Sequence, residues 1–71
     1  MDFKEATNRL KAAGVRSAEM AKALSYQEQS LRSILSGARK PPPEGRWRKQ
    51  LVALARAKID ALQRFVEDAE K

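Results

Sequence analysis

The chain has no cysteine and no histidine. Without cysteine there are no disulfides, no thiolate metal sites and no cysteine nucleophile. Without histidine, the commonest general base and the commonest metal ligand are missing. No remaining set of residues pairs a nucleophile with a base, so neither an enzyme nor a cofactor is expected. Four carboxylates near the end (Asp60, Glu67, Asp68, Glu70) read as a solvated helix face rather than a divalent-ion site. No apolar run approaches the ~20 residues of a transmembrane helix. The start, MDFKEATNRL, is partly acidic and lacks a long apolar core, so no signal peptide is expected. Lack of cysteine suits a reducing cytoplasm. At 71 residues the chain is expected to form one domain. A domain of that size buries roughly 60–65% of its unfolded surface and is marginal by itself. With disulfides excluded, helix packing and oligomerisation remain as stabilisers.

What is present is positive charge, and it is clustered. Lys and Arg outnumber Asp and Glu by 15 to 9, a net charge of +6. Residues 26–49 carry Arg32, Arg39, Lys40, Arg46, Arg48 and Lys49 against only Glu28 and Glu44. Residues 50–71 balance to zero. A basic middle with near-neutral ends implies a localised anion-binding face.

The composition favours helix throughout: Ala, Leu, Lys, Arg, Glu and Gln dominate, and no β-branched alternation marks a strand. Helix 1 is expected over about 2–13, with Asp2 and Glu5 at capping-box spacing. Phe3, Ala6, Leu10 and Ala13 fall on one face, and Gly14 stops the helix. Helix 2 is expected over about 18–24, with Ser17 as N-cap and Met20, Ala21 and Leu24 as its apolar stripe. Helix 3 runs from Gln27 or Glu28 to Ser36, with Leu31, Ile34 and Leu35 inward. Gly37 ends it. Three prolines then stiffen a loop, and Pro43 with Glu44 suits the start of a helix reaching about residue 70.

The segment SAEMAKALSYQEQSLRSILSG, residues 17–37, resembles the helix-turn-helix of the lambda-repressor/Cro-like (XRE-type) DNA-binding proteins of bacteria and phage. Ala21 stands where that family has a small residue at the helix crossing. Leu24, Leu31, Ile34, Leu35 and Gly37 match its apolar and stop positions. The trailing GARKPPP resembles its frequent glycine, basic pair and proline. The resemblance covers residues 1 to about 55. Two positions depart from the pattern: Ser25 stands where the family usually has glycine, and Tyr26 where it has a smaller aliphatic.

The resemblance implies an all-α fold, a small helix-turn-helix bundle with a long C-terminal helix, and a dimeric repressor on double-stranded DNA. It would be cytoplasmic and nucleoid-associated. A helix ~10–12 Å across fits the ~12 Å major groove. Helix 3 would then present Gln27, Glu28, Gln29, Arg32 and Ser33 to base edges, with Gln suited to adenine and Arg to guanine. A solvated polar face is the plain alternative for each, and Glu28 is also placed to order Arg32 by i, i+4 pairing. Phosphate contacts fall to Ser17, Arg39 and Lys40, then to Arg16, Arg46 and Arg48. Trp47, Leu51, Leu54 and Ala55 are expected to close the core. Beyond them Ile59, Leu62, Phe65, Val66 and Ala69 form a second stripe, which either folds back on Phe3 and Leu10 or pairs with another chain as a homodimer. A membrane-surface role suits it poorly. The competing function is an antitoxin-like module whose last helix takes a protein partner. A non-specific architectural DNA binder is a third reading.

Overall fold

A computed structural model describes all residues, Met1–Lys71. The chain is all helical, in the order α1 (Phe3–Ala12), α2 (Ser17–Ala23), α3 (Glu28–Leu35) and α4 (Glu44–Ala69). No helix is long and apolar enough to cross a membrane.

One turn chemistry ends the first three helices. After α1, Val15 N–H donates to the Leu10 carbonyl and Gly14 N–H to that of Lys11, with Gly14 at φ 97°. After α3, Ala38 N–H donates to Ser33 and Gly37 N–H to Ile34, with Gly37 at φ 90°. These paired bonds satisfy carbonyls that a helix end leaves open. Between α2 and α3 the same motif stands on serine. Tyr26 N–H reaches the Ala21 carbonyl at 2.8 Å, Ser25 N–H reaches Lys22, and Ser25 is held at φ 62°. The left-handed conformation expected of a glycine at this turn is thus adopted by a residue with a Cβ.

The helix starts differ from one another. Asp2 caps α1 by accepting from Glu5 N–H at 2.8 Å. Glu5 does not complete a capping box, because it pairs with Arg9 at 3.0 Å. The N-cap of α2 is Arg16 rather than the expected Ser17. Glu19 accepts from Arg16 N–H at 3.4 Å, which satisfies the backbone one residue earlier and makes Ser17 the first helical residue. Pro43 begins α4 with φ −54°, and its carbonyl accepts from Trp47 N–H.

The core gathers Phe3, Ala6, Val15, Met20, Ala21, Leu24, Leu31, Ile34, Trp47 and Leu51. Ala21 is buried where α2 meets α3, and Leu24 and Leu31 are each 1% exposed. Burial of side chains this size contributes about 1.5–3 kcal/mol each. Trp47 meets Phe3 edge to face, ring centroids 5.5 Å apart at 72°, which fastens the start of α4 to the start of α1. Leu54 and Leu10 pack against this cluster from its rim. Thr7 is fully buried, and its hydroxyl donates to the Lys4 carbonyl. Pro42 is buried too. Ala13, expected on the inner face of helix 1, is exposed, because α1 has ended and the chain is turning into Gly14.

The second half of α4 leaves the body of the protein. Ile59, Leu62, Phe65 and Val66 are between 48% and 68% exposed, and the molecule measures 49 × 22 × 19 Å. The stripe does not fold back on α1, because α4 runs unbroken from Glu44 to Ala69 and carries it beyond the body.

A non-glycine residue in the left-handed region costs roughly 1–2 kcal/mol, while glycine adds ~0.5–1 kcal/mol of unfolded-state entropy. Ser25→Gly is therefore expected to stabilise the protein by about 0.5–1 kcal/mol, raising Tm by several degrees. Thermal unfolding followed by circular dichroism measures it. A lower Tm would show that the serine side chain itself holds the turn.

Candidate nucleic-acid interface

Helix α3 is anchored from below by Leu31 and Ile34, both buried, with Leu35 half-buried. That fixes which residues point away. Gln27, Glu28, Gln29 and Arg32 are all exposed, and none makes a side-chain hydrogen bond or ion pair within the chain. The expected i, i+4 pairing of Glu28 with Arg32 is not formed. Other helical acid–base pairs at that spacing are: Glu5 with Arg9, Glu44 with Arg48, and Asp60 with Arg64. Glu28, Gln29 and Arg32 on α3, with Gln27 at its N-cap, are thus four uncommitted polar side chains around the outer side of a packed helix.

Ser33 is engaged differently. It is half-buried, and its hydroxyl donates to the Gln29 carbonyl at 3.1 Å. Its lone pairs remain available, but its proton is already taken by the backbone.

The basic loop is tied to this same face. The Ser33 carbonyl accepts from Ala38 N–H at 2.9 Å, from Arg39 N–H at 3.2 Å and from the Ser36 hydroxyl at 3.0 Å. Arg39 therefore begins its side chain beside the last turn of α3. Arg39 and Lys40 are exposed and unpaired, and the prolines after them limit how far the loop can move. Arg46 is exposed and unpaired at the start of α4.

Arg48 does not belong with them. Its guanidinium binds Glu44 at 2.7–2.8 Å, donates to the Met1 carbonyl at 2.9 Å and lies 5.3 Å from the centre of the Trp47 ring. Those bonds engage the fork that a phosphate would need, so a phosphate at Arg48 would have to displace them. The Met1 contact spans 47 positions, too far for local spacing to reveal. Arg16 has an exposed side chain and serves α2 through its backbone N–H. Ser17 lies half-buried at the amino end of α2.

Glu19 stands in the first turn of α2. It forms an ion pair with Lys58, which links α2 to the middle of α4. The Lys58 ammonium holds the Glu19 carboxyl below its usual value of 4.5, helped by the Arg16 N–H, against a smaller opposing push from partial desolvation.

No family model, curated protein or solved structure matches the chain.

The Glu19–Lys58 pair has a signed pH dependence. A carboxyl with a lowered folded pKa adds stability that is full above its unfolded value, about 4.5. That stability is lost as pH falls through the folded value. Glu19→Gln is expected to lower Tm at neutral pH, and the gap to the native chain should close in strong acid. Thermal scans of both proteins across that range measure it. A gap that persists in strong acid would mean that packing, not charge, carries the contact.

Proposed function

We propose that this chain is a sequence-specific double-stranded DNA-binding transcriptional regulator, a dimeric repressor that inserts α3 into the major groove of a palindromic operator. The observation that carries the reading is the uncommitted face of α3. Gln27, Glu28, Gln29 and Arg32 stand free on a helix that Leu31 and Ile34 hold in place. Free amide and guanidinium groups on a fixed helix are what base-edge recognition requires. Gln29 and Arg32 are the principal base readers, with Gln27 and Glu28 beside them and Ser33 supplying lone pairs only.

Phosphate binding falls to Arg39 and Lys40. The Ser33 carbonyl holds Arg39 at the end of α3, and the proline loop reduces the ordering entropy lost on binding. Arg46, Arg16 and Ser17 are secondary. These contacts set affinity and register, not sequence choice. The exposed stripe of Ile59, Leu62, Phe65 and Val66 serves as the homodimer contact, and the working location is the nucleoid in the cytoplasm.

The same stripe supports a second reading, an antitoxin-like interaction module in which a protein partner covers α4 and DNA contact is secondary. Selection from a random DNA library at about physiological salt separates the two. The repressor reading expects an enriched inverted repeat. No enrichment, with binding that fades uniformly as salt rises, would overturn it.

Two substitutions refine the assignment. Arg32→Ala is expected to lose discrimination at particular base pairs by roughly 1–3 kcal/mol. Unchanged base preference in a binding titration against operator variants would remove Arg32 from the readout. Arg39→Ala with Lys40→Ala is expected to weaken all sequences alike and flatten the log–log salt slope by about 2. An unaltered slope would mean that the loop does not touch phosphate.

A further inference from the structure

The exposed stripe of α4 is regular. Val52, Ile59 and Val66 recur every seven residues, and Ala55, Leu62 and Ala69 recur every seven between them. The spacing alternates three and four, the a and d seam of a coiled coil. Every a position is β-branched and the central d position is leucine, which in parallel coiled coils favours two strands and leaves the direction of the pair to the other layers. The flanking e positions are Arg56, Gln63 and Glu70, and the g positions include Lys58 and Phe65.

We infer that α4 pairs with α4 of a second copy of this chain in antiparallel orientation, with the dyad between Asp60 and Ala61. In that register each a residue faces a d residue of the partner. Val52 meets the partner's Ala69, Ala55 meets the partner's Val66, and Ile59 meets the partner's Leu62. Each layer then holds one larger and one smaller residue, or two of equal size. A parallel pair would stack Ala55 and Ala69 on themselves and leave gaps, which packed interfaces penalise.

Charge selects the same direction. The stripe's first half is flanked by Arg56 and Lys58, and its end by Glu70, with Glu67 and Asp68 on the outer side of that last turn. Antiparallel pairing sets Arg56 beside the partner's Glu70, twice by symmetry. Parallel pairing would bring the two acidic ends together. The one like-charge meeting, Lys58 with the partner's Lys58, is moderated because each ammonium is bound to its own Glu19.

The register also gives Phe65 a destination. At g, it lies opposite the partner's Leu51 at the edge of the seam. Beside Leu51 the structure has an apolar groove of about 250 Å³ between α1 and α4, lined by Ala6, Leu10, Trp47, Leu51, Val52 and Ala55. A cavity of about 150 Å³ holds a benzene molecule, so a phenyl ring has room there. Phe65 is 68% exposed in the single chain. This pairing covers it and fills the groove. The paired Leu51 positions would stand ~28 Å apart along the helices, which places the two bodies at opposite ends of a rod. The dimer does not require the DNA reading.

Disulfide mapping without DNA tests the inference, and the native chain has no cysteine to interfere. Val52→Cys and Ala69→Cys are exposed-site variants, made separately, mixed and mildly oxidised. The expected product is the mixed disulfide, with no dimer from Ala69→Cys alone. A disulfide from Ala69→Cys alone would establish the parallel pair and overturn the inference. So would a native chain that sediments as a monomer at every concentration reached. Arg56→Glu is expected to weaken the dimer, and adding Glu70→Arg to restore it. Phe65→Ala should raise the dimer dissociation constant about tenfold or more. Equal dissociation constants for native and Phe65→Ala chains would overturn the groove assignment. Each result leaves the assignment of α3 to be judged by DNA selection alone.

Discussion

The left-handed turn at Ser25 is the constraint on which the arrangement of α2 and α3 rests. It lets Tyr26 N–H return to the Ala21 carbonyl at 2.8 Å, so α2 ends abruptly and α3 begins after only four connecting residues. A longer or looser turn would allow α3 to rotate about its axis. Because the turn is short, Leu24 and Leu31 both enter the core and seal it from opposite sides of the connection. The outward residues of α3 inherit their direction from that packing. The backbone that carries them is oriented in advance, so binding orders only the exposed side chains themselves.

The second fastening is aromatic. Phe3 and Trp47 meet at the joint between the two ends of the chain, and Arg48 adds a bond to the Met1 carbonyl. Together with Glu19–Lys58, these contacts hold α4 against α1 and α2. They also divide the cations by role. Arg9, Arg48, Lys58 and Arg64 are paired with carboxylates, whereas Arg32, Arg39, Lys40 and Arg46 are not. Lys4, Lys11, Arg16, Lys22, Lys49 and Arg56 are unpaired as well, so free cations occur along the whole body and are densest between Arg32 and Lys49. A cation already bonded to a carboxylate must give up that bond to reach a new anion, so the free set is where anion affinity concentrates.

Most of the helical framework was legible because it depends on local rules. Periodic apolar residues located all four helices, and Gly14 and Gly37 located two of the stops. Ser25 was legible only through resemblance, since serine alone does not signal a left-handed turn. The cap of α2 was misplaced by one residue, because Ser17 has the better capping side chain while the structure uses the backbone of Arg16 and the carboxylate of Glu19. The bond of Arg48 to the Met1 carbonyl was not legible, because its partner lies at the far end of the chain. Val15, Thr7 and Pro42 were missed as core residues for a related reason. Val15 lies in a turn, Thr7 is polar, and Pro42 belongs to a loop, so none carries the periodicity that marks a buried face. The free state of Glu28 and Arg32 was also beyond sequence, which offered their pairing as an alternative.

The end of α4 bears on stability as well as on partnership. Only twelve of 71 residues are buried, a small core even for a domain near the lower size limit for independent folding. At the same time Val52, Ile59, Leu62, Phe65 and Val66 lie about half exposed or more, so much of the apolar surface that could stabilise the fold is left in water. Covering it adds hydrophobic free energy that the single chain lacks. Any partner that binds only the folded chain raises its stability by mass action. Folding, pairing and the display of α3 are then linked equilibria. At low concentration the chain would be both less stable and less able to present two copies of α3. On the repressor reading proposed above, that linkage would steepen occupancy of a two-fold site with the amount of the chain.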